Sequence, residues 1–99
     1  GTVRKFRSKD AKIPHMGWND LKVLKKHPML DGIASGEYFY FVHSYCGKPA
    51  VKGLTLASCN YGQENFAAVI GNDHIVATQF HPEKSQEAGL RILKNFINW

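Results

Sequence analysis

Ninety-nine residues suffice for one small domain with a core but not for two. The hydrophobic share is 43%, yet no apolar run approaches the roughly 20 residues that cross a bilayer, so no membrane is expected. The net charge of +5 invites a nucleic-acid reading, but neither a recognition-helix pattern nor an arginine-rich tail accompanies it, so no nucleic acid is expected either.

The basic residues concentrate early, at Arg4, Lys5, Arg7, Lys9 and Lys12 and then Lys22, Lys25 and Lys26. They read as a solvated face or a surface meeting an acidic partner. Gly1 to Phe6 has the charge but not the apolar stretch of a signal peptide, and Thr2 to Phe6 reads as a short strand. Ser8-Lys9-Asp10 is a polar turn. Lys12 to Asn19 reads as an irregular loop because Pro14 and Gly17 punctuate it. Leu21 to Leu24 is a short strand candidate, and His27 to Ile33 one helical turn with proline near its start and glycine near its end.

Glu37 to Ser44 is the strongest strand, since Tyr38-Phe39-Tyr40-Phe41-Val42 is a continuous aromatic and β-branched run. Such a run predicts a central strand covered on both faces. Val51 to Ser58 is another strand. Phe66 to Ile70 and His74 to Phe80 flank Gly71-Asn72-Asp73, a hairpin signal. A helix is predicted over Ser85 to Trp99, with Ser85 as N-cap and Glu87 in the first turn. Gly89, Leu90, Ile92, Leu93, Phe96, Ile97 and Trp99 fall on one arc, opposite Glu87, Arg91, Lys94 and Asn98, so the helix is expected to pack on the sheet. With no repeat or linker, the chain reads as one unit of an α/β fold.

His81-Pro82-Glu83 carries the chemistry. In an extended backbone residues two apart share a side, so the imidazole and the carboxylate can meet. The proline biases His81 toward extended geometry. A carboxylate accepting from one ring nitrogen leaves the other free to take a proton, which is two-thirds of a catalytic triad. His43-Ser44-Tyr45 ends the other strong strand and is expected to line the same crevice. Ser44 lacks the glycine-flanked elbow that exposes a nucleophile, as do Cys46 and Cys59. Two cysteines are too few for a disulfide scaffold. Both read as free, partly buried structural thiols in a reducing, cytoplasmic setting. His43-x-x-Cys46 has no matching second pair, so neither a metal nor another cofactor is expected. The Met16-Gly17-Trp18-Asn19 turn is a candidate interface anchor.

Lys12-Ile13-Pro14-His15-Met16-Gly17-Trp18-Asn19, Tyr38 to Tyr45 and Gln79-Phe80-His81-Pro82-Glu83-Lys84-Ser85 stand in the order seen in one family. The chain resembles the class I (triad) glutamine amidotransferases, and within them the glutaminase subunit of imidazole glycerol phosphate synthase. The resemblance runs from residue 1 to residue 99. It implies a class I amidotransferase-like (flavodoxin-like) α/β sheet with flanking helices, of which residues 1–99 are the C-terminal portion. Family members are about twice this length and carry a nucleophilic cysteine in an N-terminal elbow; on its own, this chain is expected to be inactive.

The resemblance further implies a heterodimeric enzyme of histidine biosynthesis with hydrolase and lyase activities. Glutamine would be hydrolysed by a Cys-His-Glu triad containing His81 and Glu83, with His43, Ser44 and Tyr45 near the substrate. Ammonia would pass to a (β/α)8-barrel cyclase contacted by Met16, Trp18, Asn19 and Lys84. One rival is a paralogue feeding a different synthase, such as one modifying surface sugars. The others are a non-catalytic binding module and, more distantly, a basic nucleic-acid binder. A half-domain is also expected to expose a sheet edge or face that a companion covers.

Overall fold

A computed structural model describes residues 1–5, 15–49, 53–61 and 64–99. The expected polar turn at Ser8-Lys9-Asp10, the Lys12-Ile13-Pro14 part of the loop and Val51-Lys52 lie outside the described residues. Within them run eight strands: β1 (Thr2–Lys5), β2 (His15–Asp20), β3 (Lys22–Val23), β4 (Tyr38–His43), β5 (Tyr45–Lys48), β6 (Thr55–Tyr61), β7 (Glu64–Gly71) and β8 (Val76–Thr78). One helix, α1 (Gln86–Ile97), closes the order, and 3₁₀ turns stand at Pro28–Leu30 and Pro82–Lys84.

The strands form three antiparallel groups, β1–β5, β2–β4 and β3–β6–β7–β8. The hairpin between β7 and β8 stands where the Gly-Asn-Asp signal predicted it. Gly71 pairs with Val76, and the Asn72 side chain accepts from the backbone N–H groups of His74 (2.8 Å) and Ile75 (3.0 Å). An Asx turn of this kind replaces ladder bonds within the loop.

Several expectations are corrected. Residues 15–19 are strand rather than loop: β2 pairs with β4 from His15↔His43 to Asp20↔Tyr38, and the ladder passes through Gly17 at φ 121°. A glycine tolerates that angle at no steric cost, so its presence did not end the strand. Of the strand expected over Val51 to Ser58, the described part begins at Thr55, after Gly53 makes a turn at φ 93°, and runs on to Tyr61. β4 is not covered on both faces. Phe39 and Phe41 are fully buried, whereas Tyr38 is 58% and Val42 38% exposed. The strand alternates, as one does with a single core face.

Phe39 and Phe41 meet Phe80, the residue before His81, at ring-centroid distances of 4.4 and 5.7 Å, and Phe66 packs edge-on to Phe41 at 5.8 Å. Leu21, Leu30, Leu56, Val69 and Ile92 complete this core. Burying side chains of this size contributes on the order of 1.5–3 kcal/mol each, which anchors the chain immediately before the His-Pro-Glu turn. Helix α1 packs against both 3₁₀ turns and β4. Only part of its expected apolar arc is buried, however: Gly89 and Ile92 face the core, while Leu90, Leu93, Phe96 and Ile97 do not.

Candidate active site

The chain leaves β8 at Thr78, buries Phe80, and turns sharply at Pro82–Lys84. His81 is extended, at φ −99° and ψ 100°, as a residue before proline should be. Glu83 does not continue the strand: it sits within the 3₁₀ turn. The side chains meet all the same, with His81 Nδ1 3.3 Å from Glu83 Oε2. It is therefore the tight turn, and not an extended repeat of two, that brings them together. Because a carboxylate can only accept, Nδ1 carries the proton in this contact, and in the neutral ring the lone pair is then on Nε2. The two side chains are 43% and 54% exposed, so the pair faces open space.

The turn is fastened from behind. His81 N–H donates to the Tyr40 carbonyl of β4 at 2.9 Å. Ser85, 1% exposed, donates its hydroxyl to the His81 carbonyl (2.7 Å) and accepts the Tyr40 N–H (2.9 Å). Ser85 thus occupies the N-cap position of α1 without capping it by a side-chain bond. Its hydroxyl bridges the strand and the His81 backbone instead. Gly89 lets the helix approach this closely, since a Cβ there would overlap the Pro82 carbonyl oxygen. Gln86, at φ 51°, makes the left-handed step between the turn and the helix. Neither Ser85 nor Gly89 was singled out in the sequence for this role. A glycine inside a helical pattern was the available signal, because it costs about 1 kcal/mol against alanine and so marks a close approach.

His43, Ser44 and Tyr45 lie at the β4–β5 connection. His81 meets β4 at Tyr40, three residues earlier, which in an extended strand is about 10 Å away. The His43 ring rests 5.6 Å from the Phe41 ring and 5.1 Å from that of Phe66, and its Nδ1–H donates to the Tyr45 carbonyl at 2.9 Å. Burial holds its pKa below the ordinary value; the bond to Tyr45 opposes this more weakly. Ser44 is half-buried and Tyr45 exposed.

Cys46 and Cys59 are buried, at 1% and 2% exposure, and are not joined in a disulfide; Cys46 lies within β5 and Cys59 within β6. Burial first, then the Asp20 carboxylate, pushes the Cys59 thiol up to about 12, partly offset by a bond to the Asn60 backbone. A thiol so protonated at neutral pH is no nucleophile. Among the described residues, no group of three or more His, Cys, Asp or Glu could hold a metal ion.

Met16 and Trp18 are 65% and 46% exposed. In the β2–β4 register Met16 opposes Val42 and Trp18 opposes Tyr40, so these side chains share the outer face. The Trp18 ring meets that of Tyr40 edge-on at 5.9 Å. Asn19 belongs to the other face, where its side-chain N–H donates to the Asn60 carbonyl at 2.6 Å. Lys84 is exposed on the turn beside Glu83.

The α/β unit thus presents an exposed imidazole–carboxylate pair at a turn braced between a strand and a helix. The model of the family "Glutamine amidotransferase class-I" matches residues 2–99, and the chain belongs to that family. It is 54% identical over 88 residues to the "Imidazole glycerol phosphate synthase subunit HisH" of Chromobacterium violaceum, covering 89% of this chain and 41% of that protein. It is 48% identical over 101 residues to the protein of the same description from Azospirillum brasilense, covering 100% of this chain and 52% of that one. Among solved structures, a putative GMP synthase component from Thermoplasma acidophilum superimposes with a TM-score of 0.77 at 25% identity, over 98% of this chain and 47% of its own. The chain thus spans about half the length of the curated relatives it matches.

Proposed function

We propose that this chain supplies the acid–base part of a glutamine amidotransferase, in which a cysteine from the rest of the domain attacks glutamine. The observation that carries this is the His81 Nδ1–Glu83 Oε2 contact at 3.3 Å, which leaves Nε2 free to accept a proton. His81 takes the thiol proton as the sulfur attacks the side-chain amide carbon. It then gives that proton to the departing nitrogen, so ammonia leaves and a thioester remains. Water, deprotonated by the same Nε2, attacks the thioester carbon, and glutamate departs as the thiol is reformed. Glu83 orients His81 and stabilises its imidazolium form. His43, Ser44 and Tyr45 are the candidates for contacts with the rest of the substrate.

The descriptions of the relatives, as subunits of imidazole glycerol phosphate synthase, support that synthase as the consumer of this ammonia. In this reading a (β/α)8-barrel cyclase subunit docks on the outer face of β2–β4, through Met16, Trp18 and Tyr40, with Lys84 beside the site. Asn19 then acts indirectly, by tying β2 to β6. The location is the cytoplasm, where such a heterodimer meets its substrates.

The test is glutamine hydrolysis by this chain joined to the preceding half of the domain. His81→Ala should lower the rate roughly 10²–10⁴-fold, the usual worth of general acid–base catalysis. Near-wild-type hydrolysis by that variant would remove His81 from the mechanism.

A further inference from the structure

A cleft of about 870 Å³ opens on the charged side of α1, between the 3₁₀ turn at Pro28–Leu30, the end of β3 and the C-terminal half of the helix. Two smaller cavities, of about 340 and 100 Å³, are lined by no charged side chain. This one is lined by four cations, Lys25, Lys26, Arg91 and Lys94, against the single carboxylate of Asp31. No ion pair joins any of the five to a described residue. Neither His81 nor Glu83 lines the cleft, so it is a second site and not an extension of the first.

Part of the lining is fixed in place. Arg91 donates its Nε–H to the Asp31 carbonyl at 3.3 Å. Asn95 donates its side-chain N–H groups to the same carbonyl at 2.8 Å and to that of Met29 at 3.0 Å, which ties the helix to the turn. The Arg91 guanidinium lies over Gly32, at φ 78°, where a Cβ would overlap it. Its Nη donors make no hydrogen bond to a described residue. A planar fork of donors is thus held at the cleft, in the geometry that takes two oxygens of one anion. Lys25 is anchored through the Gly53 carbonyl at 2.9 Å, whereas Lys26 and Lys94 have no such bond among the described residues.

The other wall is apolar and aromatic. Leu30 and Ile33, both buried, line it, and Trp99 adds an indole that is 38% exposed. The His27 ring meets that indole edge-on at 5.3 Å. Both His27 nitrogens are taken: Nδ1 accepts the Met29 N–H at 3.1 Å, and Nε2–H donates to the Asn72 carbonyl at 2.8 Å. His27 therefore positions Trp99 and leaves contact with a ligand to it.

A lone phosphate would fill little of such a cleft, since sites for whole organic ligands run about 300–1,000 Å³. The excess of three positive charges suits a diphosphate, and an exposed indole offers a base a surface on which to stack. We propose that this cleft binds a nucleoside diphosphate, with the phosphates on Lys26, Arg91 and Lys94 and the base against Trp99.

Isothermal titration calorimetry tests it, on this chain joined to the preceding half of the domain, with ADP, pyrophosphate and adenosine as probes. ADP should bind at least about tenfold more tightly than pyrophosphate or adenosine, and raising the salt from about 50 to 200 mM should weaken it several-fold. Arg91→Gln should weaken ADP about tenfold or more, as loss of a charge-assisted bond does. Lys94→Gln removes a charge but no bond to a described residue, so it should weaken ADP several-fold even if Arg91→Gln unfolds the turn. Trp99→Ala should bring ADP down to the affinity of pyrophosphate. Absence of ADP binding at about 1 mM overturns the proposal. So does pyrophosphate or adenosine binding as tightly as ADP, because the base or the phosphates then take no part. ADP affinity unchanged in Lys94→Gln and Trp99→Ala also overturns it, by placing the nucleotide elsewhere.

Discussion

Ser85→Ala tests whether the His81 turn is held by the hydroxyl behind it. The substitution removes one group that makes two bonds, donating to the His81 carbonyl at 2.7 Å and accepting the Tyr40 N–H at 2.9 Å. The two losses are unequal. The His81 carbonyl still accepts the Lys84 N–H at 3.1 Å, so its loss is worth about 0.5–1.5 kcal/mol. The Tyr40 N–H is left without its partner beside a residue that is 1% exposed, which costs about 1–3 kcal/mol. Together they predict a loss of about 2–4 kcal/mol. With a urea m-value of about 1 kcal/mol/M for a chain of this size, the midpoint falls by about 2 M or more. The assay is urea unfolding at pH 7.5 followed by tryptophan fluorescence and circular dichroism. A loss below about 0.5 kcal/mol at unchanged m would refute the reasoning, because water would then be replacing the hydroxyl at Tyr40.

Two further outcomes follow from the same site. Gly89→Ala should gain about 1 kcal/mol of helix propensity yet lose more, because its Cβ overlaps the Pro82 carbonyl oxygen, a backbone atom that cannot rotate away. A net fall of about 2 kcal/mol in the unfolding free energy is expected, and an unchanged or raised midpoint would show that the helix start is not wedged against the turn. His43 titrates below its ordinary value of 6.5 in the fold, so between its folded and unfolded values the unfolded chain binds more protons. Its contribution is complete above pH 6.5 and is lost as pH falls through the folded value. Urea midpoints should drop from pH 7.5 to 5.5 in the natural chain and drop less in His43→Gln; parallel slopes would assign the pH dependence to other groups.

The elements legible in the sequence were those whose signal is local. The β7–β8 hairpin, the proline-led turn at residue 28 and the start of the last helix depend on glycine, proline and periodicity acting within a few residues. The His-Pro-Glu pair was legible for the same reason, although a 3₁₀ turn and not an extended strand makes the contact. The misses share a cause in partners distant along the chain. Residues 15–19 became a strand because β4 lay alongside them, overriding the glycine. The aromatic run of β4 looked fully buried, yet one of its faces forms the outer surface with Trp18.

What the residues determined by themselves was the chemistry available: one imidazole with one carboxylate two positions on, no serine or cysteine in a nucleophile's turn, and a family whose order of motifs this chain keeps. Tertiary structure alone decided how that chemistry is held. Ser85, which reads as a helix cap, became the bridge between β4 and His81, because a buried hydroxyl takes whichever backbone donor and acceptor the packing brings within reach. The single apolar arc of α1 likewise separated into a buried face and a bare one. Periodicity specifies which residues share a side of a helix, but only the arrangement of its neighbours specifies how many sides are covered.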